Sequence, residues 1–478
     1  MLFYEFQFLV FSIVLLACLA VVSRNEGKKF VLLVASYVFY MCWNPAFILL
    51  ILFSTFVDYL VGRRMAVETE KRRRRRLLIV SLAANLGLLG YFKYAGFLGD
   101  SLLWLLRSGG FEPSWTTINV LLPVGISFYT FQTLSYTIDL YRGQIPPSRS
   151  PLDFALFVAF FPQLVAGPIV RAADFLPQLD HLEHLRFRRV DVFYIGRGLL
   201  KKVVVADNVA LFADAIFANP EAWPSVVIWL ATLSFGVQIY CDFSGYSDIA
   251  IGIAGVLGYR LPKNFDAPYF AHNPSDFWRR WHISLSSWLR DYLYISLGGN
   301  RGSTFATYRN LMLTMLLGGL WHGASWNFVL WGFLHGLLLI VHRAYSGLRA
   351  RSGKPIRDRL WKNVLSIAAM QYYVFLTWVT FRLTDFDKMQ VALSKFVFFD
   401  FDFQLADRGL GNSAIFSSLF VLGIFMLCHG VSVYRRGDVE ARLERVPASL
   451  LFAGSVVGGF AAVVLWPLEK VPFIYFQF

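Results

Sequence analysis

Apolar runs of about twenty residues, separated by short polar segments, recur along the chain from its first residues to its last. Each run is about the length a helix needs to cross a hydrocarbon core roughly 30 Å thick. The runs are apolar throughout, whereas the strands of a membrane barrel alternate polar and apolar positions. The pattern predicts an all-α polytopic membrane protein. Spans are expected at about 6–23, 30–43, 46–62, 77–97, 119–141, 190–217, 224–258, 363–384, 414–434 and 449–467. Two stretches depart from the simple form. Residues 152–170 contain "FFPQLVAGPI", whose Pro162, Gly167 and Pro168 interrupt a helix and suggest a re-entrant piece. Residues 310–342 are too long for one ordinary span and are expected to break at Gly318-Gly319 and again around His322-Gly323. The count comes to roughly ten to twelve crossings. No internal repeat and no long polar linker appears, so 1–478 reads as a single integral membrane domain.

Charge orients this scheme. Residues 63–76 carry eight basic side chains against Glu68 and Glu70, and 343–362 carry seven against Asp358. Both are expected on the cytoplasmic side. Residues 98–118 and 385–413 are poorer in basic residues and are expected outside, as are both termini. The net charge of +14 therefore reflects short basic loops and anionic-lipid contact, and nucleic acid is not an expected partner. The composition agrees: 56% of residues are hydrophobic and only 16% charged, where soluble domains carry about 25%. The four cysteines, at 18, 42, 241 and 428, read as small buried hydrophobes, neither a disulfide framework nor a metal site. The first run lacks a basic leader and is expected to remain as a span.

Against this background "LLGGLWHGASWNFVLWG", residues 316–332, stands out. Counted from Arg309, His322 lies about twelve residues into the run, or ~18 Å along a helix. That places it near mid-membrane, where an unpaired polar group is costly. It either hydrogen-bonds a neighbouring helix or lines a cavity. Gly318, Gly319 and Gly323 beside it suit close helix packing or close approach of a substrate. Burial favours the neutral imidazole, which can serve as a general base in acyl transfer.

A second concentration of chemistry is "FWRRWHISLSSWLRDYLYISLGGNR", residues 277–301. Arg279, Arg280, Arg290 and Arg301 are either interfacial anchors or guanidinium groups that match the phosphates of a donor such as a coenzyme A thioester. His282 is a ligand contact or an interfacial packing residue. In "IYCDFSGYSDIAIGIAGVLGY", residues 239–259, Asp242 and Asp248 either pair with an arginine or orient a reacting group. Gly252, Gly255 and Gly258 mark helix packing, not a dinucleotide motif. No cluster at metal-ligand spacing is present, so no metal is expected.

Taken together, "FFPQLVAGPIVR" (160–171), "DFSGYSDIAIG" (242–252), the 277–301 stretch, "LLGGLWHGASWNFVLWG" and the closing "PFIYFQF" (472–478) resemble the membrane-bound O-acyltransferases, in the same order. The wording of "VAGPIVR" and "LGGNR" is most similar to the branch that acetylates exopolysaccharides such as alginate. The resemblance implies helices around a central tunnel, with a catalytic core at about 120–345. It implies acyl transfer from a cytoplasmic donor, acetyl-CoA, toward the outer face of a bacterial inner membrane, with no tightly bound cofactor. The implied partners are periplasmic acetyltransferases and the polysaccharide synthesis and export machinery. The implied catalytic residues are His322 and His282. Arg279, Arg280, Arg290, Trp321 and Asp242 are the expected donor- or substrate-binding residues. Transfer of D-alanine or another acyl group, such as a long-chain one, to a cell-envelope polymer is the alternative chemistry. A transporter with His322 as proton relay is the alternative class, although no inverted repeat supports it.

Overall fold

Hydrocarbon offers the backbone no hydrogen-bonding partner, so a spanning chain must satisfy its own N–H and C=O groups. The computed structural model describes residues 1–117, 120–180, 185–351, 360–403, 412–434, 439–466 and 472–474, and their regular structure is helical throughout. These residues fall into two compact units, Met1–Asp191 with Ala250–Pro262, and Val192–Ile249 with Lys263–Phe478.

The first unit contains α1 (Phe6–Val21), α2 (Asn25–Met41), α3 (Ile48–Val67), α4 (Lys71–Leu89), α5 (Ala95–Ser108), α6 (Ile126–Tyr141), α7 (Pro151–Ala159), α8 (Phe161–Leu164) and α9 (Ala172–Leu179). A π-helical stretch, Gly90–Tyr94, joins α4 to α5. Helix thus continues to Ser108, through much of the segment expected to be an outer loop. The arginines at 72–76 likewise lie in the first turns of α4, not in a loop. Arg74 explains part of this. Its guanidinium donates to the carbonyls of Leu140 (3.0 Å) and Tyr141 (3.3 Å), at the C-terminal end of α6, where a cation is favoured. Deeper in the unit, α3, α4 and α6 are joined by polar side chains. Asp58, fully buried, accepts from Ser81 and from Asn85 Nδ2 (2.9 Å), and Ser81 meets Thr137 at 3.0 Å. The Pro-Gly stretch behaves as irregular backbone enclosed by protein. Phe160, Phe161, Leu164 and Ala166 are fully buried, and Phe161 N–H donates to Ser36 Oγ at 3.1 Å.

The second unit holds most of α10 (Arg189–Leu199), then α11 (Asp207–Ala218), most of α12 (Ser225–Val256), α13 (Pro274–Arg280), α14 (Ile283–Trp288), α15 (Thr304–His322), α16 (Trp326–Arg351), α17 (Leu360–Arg382), α18 (Phe386–Val397), α19 (Asn412–Tyr434), α20 (Val439–Arg445) and α21 (Ala448–Val464). Among the described residues, five helical segments are long and apolar enough to cross a membrane: Pro45–Val67, Lys71–Ser108, Ser225–Val256, Trp326–Arg351 and Leu360–Arg382. Shorter apolar helices are Phe6–Val21, Ile415–Val431 and Ser449–Val464.

The long run 310–342 is a helical hairpin with one break, not two. Helix α15 passes through Gly318-Gly319 and ends at His322, where Gly323 turns extended at φ −158° and ψ 150°. A Cβ on Gly319 would run into the Phe328 carbonyl and lie 3.2 Å from Gly332 Cα, so this glycine serves the contact between α15 and α16. Gly323 is similarly covered by the Phe328 ring. Cys241 is buried, but Cys18, Cys42 and Cys428 are exposed, contrary to expectation: Cys18 and Cys428 lie on helix faces where apolar side chains are also exposed, and Cys42 caps the C-terminal end of α2. Parts of the expected loops 343–362 and 385–413 (352–359 and 404–411), and 475–478 of the closing motif, lie outside the described residues.

Candidate active site

Four local devices position the site residues, all within the second unit. Asn273 caps α13, its side chain accepting from Asp276 N–H at 2.9 Å, with Pro274 at the first helical position. Ser303 caps α15 in the same way, accepting from Ala306 N–H at 3.1 Å. Gly323 ends α15 one residue after His322. The fourth device lies between α13 and α14. His282 occupies the N-cap position of α14 in the left-handed region, at φ 43° and ψ 56°, which costs energy in any residue with a Cβ. An imidazole in that position does not cap the helix. Asn264, from an irregular segment eighteen residues earlier, supplies the missing acceptors. Its backbone carbonyl takes Ile283 N–H at 2.8 Å, and its Oδ1 takes Ser284 N–H at 3.2 Å.

These devices bring the two histidines together. The ring centroids of His282 and His322 are 6.4 Å apart, and Trp321 lies 5.8 Å from His282 and 5.1 Å from His322. His282 is fully buried and His322 is 8% exposed. Around His322 stand Trp331 at 5.1 Å and Phe381 at 5.4 Å, both nearly perpendicular to it. Around His282 stand Phe243 at 4.6 Å, edge to face, and Phe265 at 6.3 Å. His282 Nδ1 lies 3.2 Å from Asn264 Oδ1, and Nε2 is buried without a hydrogen-bond partner among the described residues. Two imidazoles held by aromatic walls in a water-poor environment can accept and donate protons and bind a polar reactant between them.

Of the residues singled out in the sequence, His282, His322 and Trp321 therefore converge. The arginines are engaged near their own helices. Arg280 pairs with Asp276 at 2.8 Å and donates to the Asp266 carbonyl at 3.4 Å. Arg279 donates to the Ser275 carbonyl at 3.2 Å, and Arg290 pairs with its neighbour Asp291 at 2.7 Å; both guanidinium-bearing residues are exposed. Asp242 is an anchor inside the unit. It pairs with Lys202 at 3.0 Å and accepts Ile474 N–H at 2.8 Å, while Lys202 also meets Asp207 at 2.7 Å. Asp248 is held by Arg197 and Lys201, neither of which belongs to the 277–301 stretch. Asn264 was missed by sequence reasoning, because "LPKNFDAPY" carries no signal linking it to His282.

Residues 144–383 match the family model of the membrane-bound O-acyltransferases, a span that includes both histidines and Asn264. The chain is 40% identical to a protein of Azotobacter vinelandii named probable alginate O-acetylase, over 100% of both chains. It is 39% identical to the peptidoglycan O-acetyltransferase of Helicobacter pylori, over 77% of this chain and 73% of that one. It is 28% identical to the teichoic acid D-alanyltransferase of Streptococcus thermophilus, over 54% of this chain and 68% of that one.

Proposed function

Since the chain belongs to the membrane-bound O-acyltransferase family, we propose that it transfers acetyl groups from cytoplasmic acetyl-CoA across the bacterial inner membrane for O-acetylation of a cell-envelope or secreted polysaccharide such as alginate. Among the relatives compared, the O-acetyltransferases share 39–40% identity over most of both chains and the D-alanyltransferase 28% over about half of this one, which favours acetyl over D-alanyl. The observation that carries the reading is the enclosed pair His282 and His322, 6.4 Å apart, within the matched residues.

In this reading His322 is the general base. The acceptor hydroxyl oxygen forms a bond to the thioester carbonyl carbon, and the C–S bond breaks. His322 takes the hydroxyl proton and returns it to the departing sulfur, which leaves as the thiol. Enclosure by Trp321, Trp331 and Phe381 keeps water from competing as acceptor. Arg279 and Arg290, exposed and close in sequence to the site, meet the donor phosphates. The acceptors are periplasmic partner acetyltransferases, which hand the acetyl group to the polymer.

Purified protein supplied with acetyl-CoA labelled in the acetyl group tests this directly. Release of coenzyme A thiol, dependent on His322 and stimulated by a periplasmic acceptor, is expected. Transfer supported only by a D-alanyl carrier would replace acetyl with D-alanyl. No transfer from any activated acyl donor would overturn the reading.

A further inference from the structure

We propose that Asn264 is a positioning residue for acyl transfer: it holds His282 in the Nδ1–H form and so presents Nε2 as a hydrogen-bond acceptor to an N–H or O–H of the acceptor molecule, distinct from the attacking hydroxyl whose proton goes to His322. This rests on the acyl-transfer reading above.

Hydrogen-bond polarity fixes the ring's tautomer. Exchanging O and N of an asparagine amide is normally an open choice. Here a backbone donor settles it. Ser284 N–H can only donate and lies 3.2 Å from the Asn264 amide atom that also meets His282 Nδ1, so that atom is the oxygen. Ser284 Oγ–H donates to it too, at 2.9 Å, while Asn264 Nδ2 on the opposite side donates to Ser247 Oγ at 3.2 Å. An amide oxygen only accepts, so Nδ1 of His282, at 3.2 Å, must carry a hydrogen. In the neutral ring the lone pair then belongs to Nε2. That atom is buried and makes no hydrogen bond with any described residue, although a buried ring nitrogen normally has a partner. A second N–H or O–H of the acceptor molecule is a donor of the right polarity to fill this role. The thioester carbonyl, which can only accept, is not.

The same residue explains the strained backbone of His282. Asn264 caps α14 through its backbone carbonyl and its Oδ1, which stabilises a turn that otherwise disfavours a residue with a Cβ. One residue therefore sets the ring's tautomer and its place. Around His282 stand Phe243, Asn264, Phe265, Trp321 and His322, and of these contacts His322 is the ionisable one.

The test compares Asn264→Asp with Asn264→Leu, alongside His282→Ala and His322→Ala. Aspartate can still accept from Nδ1–H, so substantial activity should remain. Its charge favours the imidazolium, so the acid limb of the rate profile should move to higher pH. Leucine removes the acceptor. The rate constant kcat should fall on the order of 10–100-fold, by analogy with the loss of the outer partner of a metal-bound histidine, with donor KM unchanged. ¹⁵N NMR of histidine-labelled protein, with the His282 signal assigned by its loss in His282→Ala, reads the tautomer directly: Nδ1–H in wild type, mixed in Asn264→Leu. If Asn264→Leu fails to fold, the pH limb of Asn264→Asp and the wild-type tautomer still decide. Wild-type kcat in Asn264→Leu, an unmoved acid limb in Asn264→Asp, or an Nε2–H wild-type ring would each overturn the proposal. Retained activity in both histidine variants would instead overturn the acyl-transfer reading itself.

Discussion

Lys202→Met removes a cation that pairs with two buried carboxylates, and its cost follows from the structure. The Lys202 side chain is 3% exposed, with Asp207 at 7% and Asp242 at 2%. Both ion pairs are short, at 2.7 and 3.0 Å. Removing one partner of a buried pair typically costs about 3–5 kcal/mol, because the remaining charge loses its compensation. Two carboxylates are stranded here, so the upper end of that range applies. At roughly 2 °C per kcal/mol for a unit of this size, the apparent midpoint should drop by about 8–10 °C. Heating the detergent-solubilised protein and following the surviving monodisperse fraction by fluorescence-detected chromatography measures this. The double variant Lys202→Met/Asp242→Asn should recover part of the loss. Asparagine carries no charge to strand, and its Oδ1 can still accept Ile474 N–H, which Asp242 now takes at 2.8 Å. A single-variant midpoint within about 1 °C of wild type, with no gain in the double variant, would refute the reasoning that Asp242 is a structural anchor.

Further predictions follow from the same contacts. Arg279→Ala/Arg290→Ala should raise donor KM with little effect on the midpoint, whereas Arg280→Ala, which loses Asp276 and the Asp266 carbonyl, should lower the midpoint; donor titration and melting on the same preparations separate the two. Gly319→Ala should cost on the order of 1–3 kcal/mol, because its methyl group meets backbone of α16. Gly318→Ala should be milder, since its methyl group would meet only the end of Leu289, at 3.1 Å, and melting temperatures of the pair test the order.

Much of this architecture is legible in hydropathy. Runs at 224–258 and 363–384 became α12 and α17 almost at their expected bounds, since a spanning helix needs only length and apolarity. What hydropathy misses is how one helix ends and another begins. Gly318-Gly319 reads as a break, yet α15 passes through it, because those glycines face other parts of the protein and lose no backbone hydrogen bond. His322 thus lies at the end of a helix and not within one. The arginines 72–76 read as a loop because charge ends an apolar run, whereas charged side chains at a helix end can remain helical by reaching carbonyls, as Arg74 does. Histidines in "RRWHISLS" and "LWHG" are visible as candidates from sequence. Asn264 is not, since its role exists only through a contact eighteen residues along the chain, with α13 in between. Asp242 looked equally chemical, and only its contacts with Lys202 and Ile474 show the anchor.

The most direct test of the central claim is polymer O-acetylation in cells carrying His322→Gln at matched membrane abundance. Glutamine can hydrogen-bond in place of imidazole but cannot take a proton at neutral pH. If His322 is the general base, acetylation should fall by about 10²–10⁴-fold, as when a general base is removed, while the protein inserts and purifies as wild type. Near-wild-type acetylation in His322→Gln would mean that the histidine only packs against Trp321, Trp331 and Phe381, and would contradict the account.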